Sequence, residues 1–271
     1  MTADRGSLDT RVPDILSSVG IQPGAVVLMH SSLWVFGTRA FGDLRGRARP
    51  TNLVDALLEY LTPAGTLVVP TFTYQTAKSG SFDRRATPSE GMGVLAEAVR
   101  QHAAARRSPH PLQSIAAVGA HAADLCGLDT AGAFNLGGPF DRLLQLDGQL
   151  LFLGAPFDAA SLVHYAEERC EVPYRSWKTF DIPCVTDDGI VVKPYGMFVR
   201  SLAEDPQLHL EPIRNVLEEQ SALAHAAVGS AEVKACASRA FVTAAMSLLR
   251  QNPRALLRPA PAHAGASRQP S

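Results

Sequence analysis

His164 and Glu167 stand three residues apart within the stretch Gly154 to Glu171. On a helix that spacing puts both side chains on one face. An imidazole beside a carboxylate is the pairing of a general base with the group that orients it. The run Gln149-Leu150-Leu151-Phe152-Leu153 precedes them and reads as a buried strand ending at Gly154. Pro156 and Asp158 mark a turn, and helix formers follow from Ala159. A base just past a strand end sits where open α/β sheets bind ligands. A core or capping histidine is the plain alternative, and Glu167 is what weighs against it.

A second candidate is His30-Ser31-Ser32-Leu33, at the end of the apolar run Ala25 to Met29. Successive backbone N–H groups with two hydroxyls could cradle a phosphate. A polar turn with a serine cap fits the same residues. Arg106-Arg107-Ser108-Pro109-His110-Pro111 could bring cationic charge or ring contacts to that rim. It could equally be a solvated helix end whose arginines suit the dipole. Cys170 follows His164 by six residues and points elsewhere on a helix, so a Cys–His nucleophile is not expected. Motifs of the P-loop, the dinucleotide-binding fold, the α/β-hydrolases and the zinc proteases are absent. His30, His110 and His164 lie on separate predicted loops. A zinc site built from them is the less favoured alternative, and no metal is expected.

The elements that must position these residues follow from the pattern. Ala25–Met29, Thr66–Val69, Ile115–Val118 and Gln149–Leu153 read as buried strands. Between them helices are expected over Asp9–Val19, Asn52–Leu61, Gly91–Ala103, Ala122–Cys126 and Phe140–Leu146. Strands alternating with helices predict a largely parallel or mixed sheet covered on both faces. Phe180–Thr186 and Ile190–Lys193, joined by Asp187-Asp188-Gly189, read as a β-hairpin. Helices are expected over Ile213–Ala227 and Glu232–Gln251, then a disordered tail from Pro253. The Arg-rich stretch Gly37 to Pro50 reads as a loop. A net charge of −1 gives no global reason to expect a nucleic-acid or membrane partner. Four widely spaced cysteines and no apolar leader suggest reduced thiols in a cytoplasmic protein.

Together these segments resemble the aminoglycoside 3-N-acetyltransferase family. The resemblance rests on His30 to Leu33, Pro70-Thr71-Phe72, Arg107 to Pro111 with Ser114 and Gly119, Leu153-Gly154, and His164 with Glu167. It covers roughly Ala25 to Phe180. It implies a three-layer α/β/α fold, distinct from the GNAT fold. One acetyltransferase domain would span 1–252, its part after about 175 holding the hairpin and helices, with a tail over 253–271. The implied activity is acetyl transfer from acetyl-CoA to a primary amine, without metal. His164 would be the base, Glu167 its partner, and the Ser161 hydroxyl a donor to cofactor or thioester. His30, Ser31, Ser32, Leu33, Thr71, Arg107 and Ser108 would meet CoA. Family members usually carry Asn-Thr where this chain has Ala160-Ser161.

The amine is left open. A polycationic aminoglycoside wants carboxylates, and Asp83, Asp158, Glu168 and Glu171 could supply them, with His110 and Tyr174 also expected on the substrate side. An amine bearing an anionic group, a phosphonate or nucleotide-linked biosynthetic intermediate, would suit Arg39, Arg45, Arg47 and Arg49. An inactive CoA-binding module is the non-enzyme alternative. The partners implied are CoA and a small amine, and a homodimer is compatible with the resemblance.

Overall fold

The computed structural model describes residues 11–36, 50–78 and 80–258. Its central sheet has seven strands in the order β3-β4-β2-β1-β5-β9-β8. The middle is parallel: β1 (Val26–Ser31) lies between β2 (Thr66–Pro70) and β5 (Gln149–Leu153). These are the continuous apolar runs, and all three are buried on both faces, as parallel strands require. The flanks are antiparallel. On one side β4 (Ile115–Gly119) pairs with β2, and the two-residue β3 (Arg106–Arg107) pairs with β4. On the other, β9 (Ala231–Ala237) pairs with β5, and β8 (Leu223–Val228) with β9. The sheet is therefore mixed.

Strand alternation divides the core into two layers. Val27, Met29, Leu67, Val69, Leu151 and Leu153 face α1 (Val12–Ser18), α2 (Pro50–Leu61) and α3 (Val94–Gln101). Leu28, Val68, Leu150 and Phe152 face the opposite layer. That layer comprises α4 (Ala122–Gly127), α5 (Pro139–Gln145), α6 (Val163–Arg169), α7 (Glu211–Glu219) and α8 (Ser238–Gln251). Three layers, α/β/α, result.

Two expectations are corrected. The helix expected over Ile213–Ala227 stops at Glu219, and Leu223–Ala237 forms the β8–β9 hairpin. Its alanines favour a helix locally, but pairing with β5 and burial of Val233 and Cys236 override that preference. The hairpin expected near Phe180 runs longer, as β6 (Arg175–Thr186) against β7 (Gly189–Arg200). Phe82, Leu112, Ile182, Cys184 and Tyr195 clamp it to the body.

The tail expected from Pro253 is also corrected in its first residues. Leu256 is fully buried, and Leu257 bridges Leu208. Residues 259–271 of the expected tail lie outside the described residues, as do 37–49, which hold Arg39, Arg45, Arg47 and Arg49. No helix among the described residues is long and apolar enough to cross a membrane. The four cysteines are free thiols.

Candidate active site

The carboxyl ends of β1 and β5 lie side by side, with Ser31 opposite Leu153. The chain leaves β5 through Gly154 at a φ of 69°. A β-carbon there would lie 2.5 Å from Val35 and 2.8 Å from the Ser32 carbonyl, so only glycine lets the two strand ends pack. From this junction the chain makes a short 3-10 turn, Phe157–Ala159, and enters α6 one residue before His164. The result is a cleft of about 390 Å³. Ser31, Ser32, Tyr74, Met92, Asp158, Ser161 and His164 are among the residues that line it.

His164 Nδ1 lies 2.6 Å from Glu167 Oε2. Glu167 is fully buried, and the same oxygen meets Arg175 Nε at 2.9 Å. Burial raises the carboxyl pKa, but His164 and Arg175 outweigh it and hold the group below its ordinary value. Glu167 is thus a carboxylate that accepts the Nδ1–H, leaving Nε2 as the basic nitrogen of a ring on the cleft wall. Phe134 packs edge-on against that ring and fixes its plane, the centroids 5.6 Å apart.

His30 lies beneath Ser161. Its Nε2 accepts the Ser161 backbone N–H at 3.1 Å and lies 3.1 Å from the Ser161 hydroxyl. Its ring stacks on Phe152. Burial pushes its pKa down to about 4, so it is a neutral acceptor. It holds the turn before His164 in place and carries no charge toward a phosphate. With Nε2 an acceptor, the Ser161 hydroxyl donates to the same nitrogen as the Ser161 N–H, and both donors of that residue point at His30.

A model of the family described as aminoglycoside 3-N-acetyltransferase matches residues 28–250. The chain belongs to this family. Aminoglycoside N(3)-acetyltransferase III of Acinetobacter baumannii is 30% identical over 198 residues, 66% of this chain and 67% of that protein. A histidine-to-alanine variant of AAC(3)-IVa in complex with a gentamicin superposes with a TM-score of 0.76 at 26% identity, covering 96% of this chain and 94% of that one. AAC-IIIb in a binary complex with CoASH shares the fold at a TM-score of 0.77 and 22% identity, covering 94% and 99%. As a member of the 3-N-acetyltransferase family, the chain is an acetyl-CoA-dependent N-acetyltransferase.

Several residues that the family resemblance placed at the cofactor lie outside the lining of this cleft. Arg107 is buried, and its guanidinium is consumed internally. It donates to Ser114 Oγ at 2.9 Å, Thr71 Oγ1 at 3.2 Å and the Thr71 carbonyl at 2.7 Å, and it also reaches the Thr87 carbonyl. Thr71 and Ser108 are fully buried, and the Ser108 hydroxyl accepts the Ile115 N–H at 2.9 Å. None of the three lines the cleft. They brace the loops that do, and Arg107 also borders the larger depression beside β3. Of the four residues from His30 to Leu33, the first three line the cleft.

The expected substrate residues other than Asp158 also lie outside the lining of the cleft. His110 is buried, accepts the Gln113 N–H at Nδ1, and donates from Nε2 to the Gly196 carbonyl at 3.1 Å. Burial pushes its pKa to about 4. It ties the hairpin to the body. Tyr174 is buried beside Glu167, and burial followed by that charge pushes its hydroxyl pKa up. Glu171 faces solvent in a left-handed turn past α6. Asp83 accepts two backbone N–H groups of its own turn. It borders a larger depression of about 1080 Å³ beside β3, which shares no lining residue with the cleft of His164. Glu168 is buried, its pKa raised to about 7 by burial, and makes a poor ammonium anchor. Asp158 alone of the expected carboxylates lines the cleft.

Sequence reasoning missed Arg175, Tyr74 and Met92. A buried carboxylate calls for a cation besides a neutral imidazole, and Arg175 is the arginine next downstream of α6. Tyr74 and Met92 carry no comparable signal, since their loops enter the cleft only through the fold. Among the described residues no group of His, Cys, Asp and Glu is placed to hold a metal.

Proposed function

We propose that the cleft transfers an acetyl group directly from acetyl-CoA to an amine of an aminoglycoside, with His164 as general base. The 2.6 Å contact between His164 and Glu167 on the cleft wall carries this reading. An ammonium is no nucleophile until it loses a proton. His164 Nε2 takes that proton, while Glu167 keeps Nδ1 protonated and the ring oriented. When bound, acetyl-CoA supplies the activated thioester carbonyl. The hydroxyls of Ser31 and Ser32 and the adjacent backbone suit its polar arm. The Ser161 hydroxyl, once rotated away from His30 Nε2, is the nearby donor for negative charge developing on the acyl oxygen. The imidazolium returns its proton to the departing thiolate.

Support for an aminoglycoside acceptor comes from family membership and from the gentamicin complex of a 26%-identical relative. Asp158 on the cleft wall suits a cationic amine. The test is a thiol-release assay with acetyl-CoA and gentamicin. His164→Ala should lower kcat by at least about 10²-fold while acetyl-CoA still binds. Unchanged kcat would remove the base assignment, and a wild-type protein that acetylates no amine would remove the activity.

A further inference from the structure

The acceptor side of the cleft already faces a cation, and the protein itself provides it. Asp158 Oδ1 accepts the Leu210 N–H at 2.7 Å, which anchors the segment leading into α7. Its Oδ2 faces the Arg258 guanidinium at 3.7 Å. Arg258 closes the stretch Pro253–Arg258, a strap laid against the Gln207–His209 segment, whose Leu208 lines the cleft. The His209 N–H binds the Leu256 carbonyl, and the Arg258 N–H binds the Gln207 carbonyl, each at 2.9 Å. Arg254 pairs with Glu204 at 2.7 Å. Leu256 is buried in the core, and Leu208, bridged to Leu257, is itself a cleft residue. The strap backbone is therefore fixed, while the Arg258 side chain remains 64% exposed.

We propose that Arg258 is a specificity-determining residue, holding on Asp158 the place that an ammonium of a polycationic substrate would take. The inference rests on the cleft being the amine-acceptor site. An exposed pair at this distance is weak, and displacing it changes an equilibrium constant by about two- to fivefold. Arg258 therefore tunes the site and does not block it. A compact ammonium approaches one carboxylate oxygen more closely than a guanidinium at 3.7 Å, so exchange favours the substrate. For an amine carrying an anionic group the sign reverses, because Arg258 then attracts what Asp158 repels.

The experiment is a double-mutant cycle on the KM for gentamicin, with the KM for acetyl-CoA as control. Arg258→Gln should lower the gentamicin KM by about two- to fivefold, less so at high ionic strength. Asp158→Asn keeps the acceptor for the Leu210 N–H, yet should raise that KM. In the Asn background, Arg258→Gln should have no further effect. A gentamicin KM unmoved by Arg258→Gln, or moved equally in both backgrounds, overturns the proposal. Calorimetric binding of gentamicin to the same four proteins reads the cycle without turnover. A wild type inactive toward amines would then count against the proposed function, while the cycle still decides the role of Arg258.

Discussion

Arg175 and Glu167 form an ion pair at 2.9 Å between the start of β6 and the interior of α6, with the carboxylate fully enclosed. The oxygen that receives Arg175 also receives His164. Two partners on one oxygen explain how a buried carboxyl remains ionised against its desolvation. His164 is thus tied to the long hairpin as well as to its own helix.

Arg175→Leu should destabilise the protein by about 3 kcal/mol, because it strands a buried carboxylate. It should also lower kcat. Urea unfolding at neutral pH measures the first, and Arg175→Lys should recover part of both. An Arg175→Leu protein as stable as wild type would show that the pair does not hold Glu167.

Glu167→Gln should lower kcat by about tenfold, less than loss of His164, with little change in the acetyl-CoA KM. It should also alter acid stability. The folded state holds the carboxyl pKa below its ordinary 4.5, so below that value the unfolded chain binds the extra proton. This contribution is present above about pH 4.5 and is lost as pH falls through the folded value. A glutamine variant with an unchanged acid limb would contradict the shift.

His30 and His110 act at higher pH. Both are buried and neutral, with pKa values pushed from 6.5 to about 4. Between these values the unfolded chain binds protons that the native state refuses. Stability is full above about pH 6.5 and should fall by about 1.4 kcal/mol per pH unit for each residue as the pH drops toward 4. Denaturant titrations across this range measure the slope, and His30→Gln should remove one residue's share.

Arg107→Met should cost about 3 kcal/mol of stability, since Thr71, Ser114 and Thr87 lose a buried donor. The acetyl-CoA KM of the folded variant should hold. A tenfold rise in that KM with stability intact would return Arg107 to the cofactor.

Whatever was written in contiguous residues could be read before the fold was known. β1, β2 and β5 are unbroken apolar runs, and His164 with Glu167 is a helical spacing. Residues whose contacts come from distant partners could not be read in this way. Arg107 looks like a solvated arginine until three other segments converge on its guanidinium. His30 looks like part of a phosphate loop until the turn before α6 lands on its ring. β8 and β9 are alanine-rich and lose their helical preference only because β5 offers an open edge. Their readable cue was Gly229, which turns the hairpin at a φ of 64°.

The hydrogen bond from Ser161 to His30 joins residues 131 positions apart in a chain of 271. Loop-closure entropy must be overcome before such a contact stabilises anything. A chain whose helices and hairpins have formed locally would hold every side chain of the cleft and still lack the assembled site. On refolding, the return of turnover should therefore lag the return of helical signal and report the moment when the two halves of the site meet.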